Sequence, residues 1–192
     1  MSFVTFIVPT IGRDTLARTL RSLLAQTDTD WKAIVVADYV RHFQLPIGDP
    51  RFFLFPLRVK LGEGHQSGLV RNCGLALNVS PWCGFVDDDD RLDAQYVEWL
   101  RQESDGSDLF VFRMAYSPPR EDKVETIPRS TDVAGLKQAE VGISFAVRRQ
   151  FQQDHDVWFA TEEFEDWLFI KRCLDFHAKV RISEHVGYYV RH

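Results

Sequence analysis

Trp82-Cys-Gly-Phe-Val-Asp-Asp-Asp-Asp90 decides the fold class, because an apolar run stops abruptly at consecutive acids. Trp82–Val86 has the length and character of a buried strand, and the acids then fall in the loop at its carboxyl end. The same pattern recurs upstream. Phe3–Val8 is a β-rich run closed by Pro9, Thr10 and Gly12, Lys32–Ala37 is a second that ends at Asp38, and Phe52–Leu57 is a third. Between the first two, Leu16, Leu20, Leu23 and Leu24 keep a helical period behind Asp14, which is placed to cap that helix. Gly62-Glu-Gly-His-Gln-Ser-Gly68 leads into a further helix near Leu69–Leu77, which Pro81 separates from Trp82. Strand–helix–strand alternation with short links predicts an α/β fold, a mostly parallel central sheet flanked by helices on both faces. Such sheets bind ligands outside the carboxyl ends of their strands, where Asp38 and Asp87–Asp90 both fall.

Downstream, Tyr96, Val97 and Leu100 mark a helix and Leu109–Met114 a strand. Ser117–Asp132, rich in proline and charge, reads as a mobile surface loop. Gly142–Val147 reads as a strand returning to the core. Phe164, Trp167, Leu168, Ile170 and Leu174 line one face of a helix, and short strands near Lys179–Ile182 and Val186–Val190 follow. Trp158 and Phe159 suit the core better than a surface shelf.

The 192 residues suit one domain, and 45% hydrophobic with 13% aromatic content is that of a packed protein. With 23 basic against 28 acidic residues the net charge is −5, which argues against a nucleic-acid partner. No apolar run approaches the roughly 18–20 residues that span a bilayer, so no transmembrane segment is expected. Phe3–Ile11 lacks a basic leader and reads as a strand rather than a signal peptide. The cysteines Cys73, Cys83 and Cys173 are odd in number and form no C-x-x-C pair, which points to a reducing, cytoplasmic setting. Oligomeric state is not encoded in any pattern.

Asp87–Asp90 carries the strongest chemical signal. Four like charges are most easily tolerated beside a cation, and hard oxygens favour Mg²⁺ or Mn²⁺ together with phosphates. The competing explanation is a solvated acidic turn that caps the next helix. Arg71, beside the glycine-rich loop, can meet a diphosphate or pack as a surface arginine. That loop is no P-loop, since G-x-x-x-x-G-K-[ST] does not occur. Glu162, Glu163, Glu165 and Asp166 precede an apolar helix face, where they either complement the helix dipole or supply a general base partly desolvated by Phe164 and Trp167. His192, after Arg191, is either a frayed end or a metal ligand, while His65 and His185 have no metal-ligand spacing. No G-x-S-x-G is present to support a serine hydrolase.

Taken together, these segments resemble the family 2 glycosyltransferases of GT-A fold, from about Val4 to His192. The likeness rests on Phe6-Ile-Val-Pro-Thr-Ile-Gly-Arg13, Val35-Val-Ala-Asp38, Gly68-Leu-Val-Arg-Asn-Cys-Gly-Leu75, Phe85-Val-Asp-Asp-Asp-Asp90, Glu165-Asp166-Trp167 and Gly187-Tyr-Tyr-Val-Arg-His192, in the family's order. It departs from the family at Ala-Asp-Tyr39, where D-D-G-S is commoner. The resemblance implies a single GT-A domain over 1–192, with 1–90 binding nucleotide and 91–192 serving acceptor and catalysis. It implies that Thr10, Asp38, Arg71, Asp87, Asp88 and Gly142 bind the nucleotide-sugar donor. Asp87 would lie nearer the ribose and Gly142 in the loop along the sugar, with Asp90 a supporting acid. Asp89 and His192 would hold Mn²⁺ or Mg²⁺, and Asp166 would act as general base. The implied reaction is inverting transfer from a UDP-sugar to a glycan, glycolipid or glycoprotein hydroxyl. A nucleotidyltransferase or a non-catalytic binding module of the same fold are the alternatives. The first lacks its G-x-G-x-R-L loop, and a D-x-D-x-T phosphatase is opposed by Arg91 in the threonine's place.

Overall fold

The computed structural model describes residues 1–63, 66–117 and 123–190. Its centre is three parallel strands buried on both faces, which explains why they read as continuous apolar runs. Val4–Thr10 (β1) pairs in parallel with Trp31–Ala37 (β2) on one side and with Trp82–Phe85 (β4) on the other. Phe52–Pro56 (β3) extends the parallel set beyond β2. The sheet then turns mixed. Its full order is β3-β2-β1-β4-β8-β6-β9-β5, where β5 is Arg91–Leu92, β6 Leu109–Tyr116, β8 Phe145–Arg148 and β9 Val180–Tyr189. The β8 strand runs antiparallel to both β4 and β6, and the β6–β9 pair is parallel again.

Alternation along the strands assigns the helices to faces. Phe6 and Trp31 project to one side, where Phe6 meets Tyr96, the first residue of the helix Tyr96–Glu103 (α3), with ring centroids 5.5 Å apart. Ile7 and Phe85 project to the other. There Ile7 packs on Gly74 of the helix Ser67–Ala76 (α2), and Phe85 meets Phe159 at 4.9 Å and Phe169 of the helix Glu165–Asp175 (α5) at 6.1 Å. Phe159 belongs to the core at 4% exposure, as expected, with Trp158 partly buried beside it. The helix Leu16–Leu24 (α1) packs against β5, and Arg149–Asp154 (α4) follows β8. Among the described residues no helix is long and apolar enough to cross a membrane. The cysteines are free.

The expected single α/β domain is present, with several local corrections. Asp14 does not cap α1. The chain enters that helix through a turn in which Leu16 N–H donates to Arg13 O at 3.2 Å, and Thr15 already has helical dihedrals. The segment read as a loop from Ser117 contains the strand Glu125–Ile127 (β7), paired with β6. The run from Gly142 becomes a strand only at Phe145, because Phe145 N–H donates back to Ile143 O in a turn. The two final strands are one. Ser183-Glu184-His185 interrupts only the ladder: Ile182 pairs with Val111 and Val186 with Arg113, so β9 carries its extra residues in a bulge there and then resumes pairing with β6.

Gly68 sets how closely α2 approaches the start of α5. A Cβ there would lie 2.5 Å from the backbone oxygen of Ala160 and 2.9 Å from Phe159 Cβ, neither of which can rotate away. Gly68→Ala should therefore be destabilising despite alanine's better helix propensity, by about 1–3 kcal/mol of overpacking. Calorimetry should show a lower Tm, and an unchanged or raised Tm would contradict the close approach.

Candidate functional site

The carboxyl ends of β1, β2 and β4 bring Thr10, Asp38 and Asp87 to one edge of the sheet. Beneath that edge the acidic turn is compensated residue by residue. Asp87 Oδ1 accepts from Arg71 at 2.5 Å. Asp88 accepts from the Thr10 hydroxyl at 2.6 Å and from Arg13 at 3.1 Å, and the same Arg13 nitrogen donates to Asp89 at 2.8 Å. Asp90 accepts from the Tyr188 hydroxyl at 2.7 Å, and that hydroxyl in turn accepts from the Asp87 N–H at 3.1 Å. Backbone carbonyls are held too, Asp89 O by Arg18 and Asp90 O by Thr19, each at 2.6 Å. Burial pushes the Asp88 carboxyl above the ordinary range, while Thr10 and Arg13 pull it back. Burial, then the neighbouring Asp87 and Asp90 charges, hold Tyr188 neutral, so its proton stays available to Asp90.

Arg71 is not a surface arginine. It is 4% exposed and reaches three parts of the chain, donating to Asp87, to Glu165 at 2.7 Å and to Ser67 at 3.1 Å. Burial alone would weaken its hold on a proton, but the Asp87 and Glu165 carboxylates overrule it and push the guanidinium above its usual value. Ser67 also donates to Glu165 at 2.6 Å, so the start of α5 is tied to α2. One residue further, Asp166 is half-buried, with Oδ1 accepting from Trp167 N–H at 2.7 Å. Burial raises its proton affinity above the ordinary carboxylate range against that hydrogen bond. Gly142 leaves space here: a Cβ would lie 3.7 Å from Asp166 Oδ2 and 2.6 Å from Met114 Cε. Phe164, just before α5, takes a left-handed conformation with φ 62° and is exposed. Asp38 is engaged by the backbone, accepting from Leu61 and Gly62 N–H at 2.8 Å each.

Thr10, Asp38, Arg71, Asp87, Asp88 and Asp89 line one cleft of about 310 Å³. Asp166 and Gly142 stand together outside that lining, joined to it through Glu165 and Arg71. His192 lies outside the described residues. Residue patterns gave no role to Arg13, Tyr188 or Ser67, and offered Glu165 only as a helix-dipole acid or a base, not as a partner of Arg71. For the first two the signal was only their place in the opening and closing motifs. Among the described residues, no set of three or more His, Cys, Asp or Glu side chains is gathered to hold a metal ion unaided. The donor chemistry nevertheless suits a hard divalent cation, since Asp89 opens on the cleft near Asp87. Such ions are held by one or two carboxylates with substrate phosphates and waters completing the shell.

Tyr188→Phe should remove one hydrogen bond from the buried Asp90 carboxyl and one from the Asp87 N–H, a loss of about 1–3 kcal/mol. Thermal melts should show the drop, and an unaltered midpoint would mean that the turn closes without the hydroxyl.

The sequence model described as Glycosyl transferase family 2 matches residues 5–165. No curated protein matches the chain at a significant level. Among solved structures, S. aureus TarS 1–349 superposes with a TM-score of 0.77 at 22% identity, covering 100% of this chain and 60% of that one. TarS 1–349 in complex with UDP-GlcNAc gives 0.80 at 21% identity, covering 100% and 59%. The longer TarS structure gives 0.78 at 20% identity, covering 100% and 37%. The present chain thus spans less than two thirds of each of these proteins, and the likeness is one of fold.

Proposed function

The chain belongs to glycosyl transferase family 2, and from that premise we propose that it moves a sugar from a UDP-sugar donor to an acceptor hydroxyl with inversion. The acceptor would be a glycan, glycolipid or glycoprotein. One observation carries this: the donor-side residues Thr10, Asp38, Arg71, Asp87, Asp88 and Asp89 share a cleft, and a desolvated carboxylate, Asp166, stands beside it. The UDP-GlcNAc complex of TarS supports the donor class. In this reading residues 1–90 bind the nucleotide and 91–192 present the acceptor and the base.

Thr10 and Asp38 flank the nucleoside, with Asp87 toward the ribose. The Asp38 carboxylate is already oriented by two backbone amides, so it meets a sugar hydroxyl or base N–H without reorganising. Arg71 keeps Asp87 and Glu165 in fixed relation and so sets the distance from donor to base. Asp89, with Asp87 beside it, would hold Mn²⁺ or Mg²⁺, which when bound stabilises charge developing on the departing diphosphate. Gly142 leaves room for the donor sugar against Asp166. Asp166 takes the acceptor hydroxyl proton as that oxygen attacks the anomeric carbon from the face opposite the diphosphate, and one displacement inverts the configuration.

Asp166→Asn should lower kcat by about 10²–10⁴-fold while leaving UDP affinity essentially unchanged, because the residue lies outside the nucleotide cleft. Steady-state rates with calorimetric UDP binding check this, and retention of most activity would remove the base assignment. Since the ionised carboxylate is the active form, kcat should rise with pH through the carboxyl's elevated pKa, with the acid limb above the usual aspartate range. A limb at the ordinary value would mean that the base is exposed. UDP at about 100 times its Kd should add roughly 2.7 kcal/mol. For a domain of this size that raises Tm by about 5–11 °C. The rise should need Mn²⁺ and be lost in Asp89→Ala. No rise with any nucleotide would overturn the transferase reading.

A further inference from the structure

Two arginines meet the acidic turn, and they differ in how tightly they are held. The Arg71 side chain is 5% exposed and joined to two carboxylates from separate elements, which makes it a fixture. The Arg13 side chain is 46% exposed. Gly12, at φ +83°, turns the chain after β1, and Arg13 lies back over the turn with one nitrogen shared between Asp88 and Asp89. It lines the same cleft as the predicted donor residues. The pair with Asp89 is open to solvent on both sides and contributes little, whereas Asp88 on the other side of Arg13 is buried.

The three adjacent carboxylates Asp87, Asp88 and Asp89 require positive charge nearby in every state of the site, and here a guanidinium supplies it at the latter two. A guanidinium and a divalent cation cannot share the Asp89 oxygen at bonding distance. The divalent ion is the better partner for a hard carboxylate oxygen, whereas the planar fork of arginine suits phosphate. We propose that Arg13 is the resident counter-ion of the acidic turn, yielding Asp89 to an incoming divalent cation and passing to the diphosphate of the donor. This rests on the sugar-transfer reading above. It makes Arg13 a donor-binding residue with a reversal of sign: it competes with the cation when nucleotide is absent and acts with it when nucleotide is present.

The test is Arg13→Gln and Arg13→Lys in the full chain, with Mn²⁺, UDP and uridine as probes followed by calorimetry. Mn²⁺ alone should bind the glutamine variant about two- to fivefold more tightly than the native chain, as expected from removing an exposed competing charge. UDP with Mn²⁺ should bind that variant about tenfold more weakly, the scale of a lost charge-assisted contact. Uridine, which has no phosphate, should bind native chain and variant alike. The lysine variant should keep the native Mn²⁺ affinity. Binding is measured well below the ligand-free melting point of each variant, which separates these effects from folding. Unchanged or weaker Mn²⁺ binding in Arg13→Gln overturns the counter-ion role, and a UDP loss matched by uridine overturns the diphosphate role. Failure of the native chain to bind either Mn²⁺ or UDP is a different result, and removes the sugar-transfer reading together with this proposal.

Discussion

Asp87 to Asp90 crowd four carboxylates into one turn, and their mutual repulsion must be met before the link from β4 to β5 can close. Much of the surrounding architecture follows from that demand. Arg71 comes from α2 to Asp87, Thr10 and Arg13 from the end of β1 and the turn after it to Asp88 and Asp89, and Tyr188 from β9 to Asp90. Elements distant in the chain are thus bound at one point, and the cleft is the space left above it. The neutralising groups are graded, from a buried guanidinium through a neutral hydroxyl to an exposed guanidinium.

The second constraint is closeness. Gly68 and Gly142 each stand where a Cβ would strike a neighbour, Ala160 O in one case and Met114 in the other. The first lets α2 reach α5, so that Ser67 and Arg71 can both hold Glu165. The second keeps space beside Asp166. Charge and packing therefore cooperate: the ion pairs fix the distance between the cleft and Asp166, and the missing side chains make that distance short.

Much of the fold was legible because the central strands are buried on both faces and announce themselves as apolar runs. The cleft residues were legible because the loops at parallel strand ends gather at one edge. What escaped was whatever depends on tertiary geometry. Asp14 has the chemistry of a cap but stands one residue before the N-cap position, which Thr15 occupies. Ser183-Glu184-His185 has the composition of a break, yet it forms a bulge within β9, and the strand resumes its pairing at Val186. Arg71 resembles a surface cation until its two carboxylates are seen, and Tyr188 carries no chemical pattern at all. Its role comes from a strand pairing that no local window contains.

The contacts that build the site are long in sequence. Thr10 and Asp88 are separated by 78 positions, Arg71 and Glu165 by 94, and Asp87 and Tyr188 by 101. Loop-closure entropy places such pairings late in folding, after the local helices and neighbouring strands have formed. The acidic turn then emerges from synthesis well before β9, and passes that interval without the hydroxyl that completes it. The geometry of the cleft floor is in this molecule an attribute of long-range pairing, and no local folding unit carries it in advance.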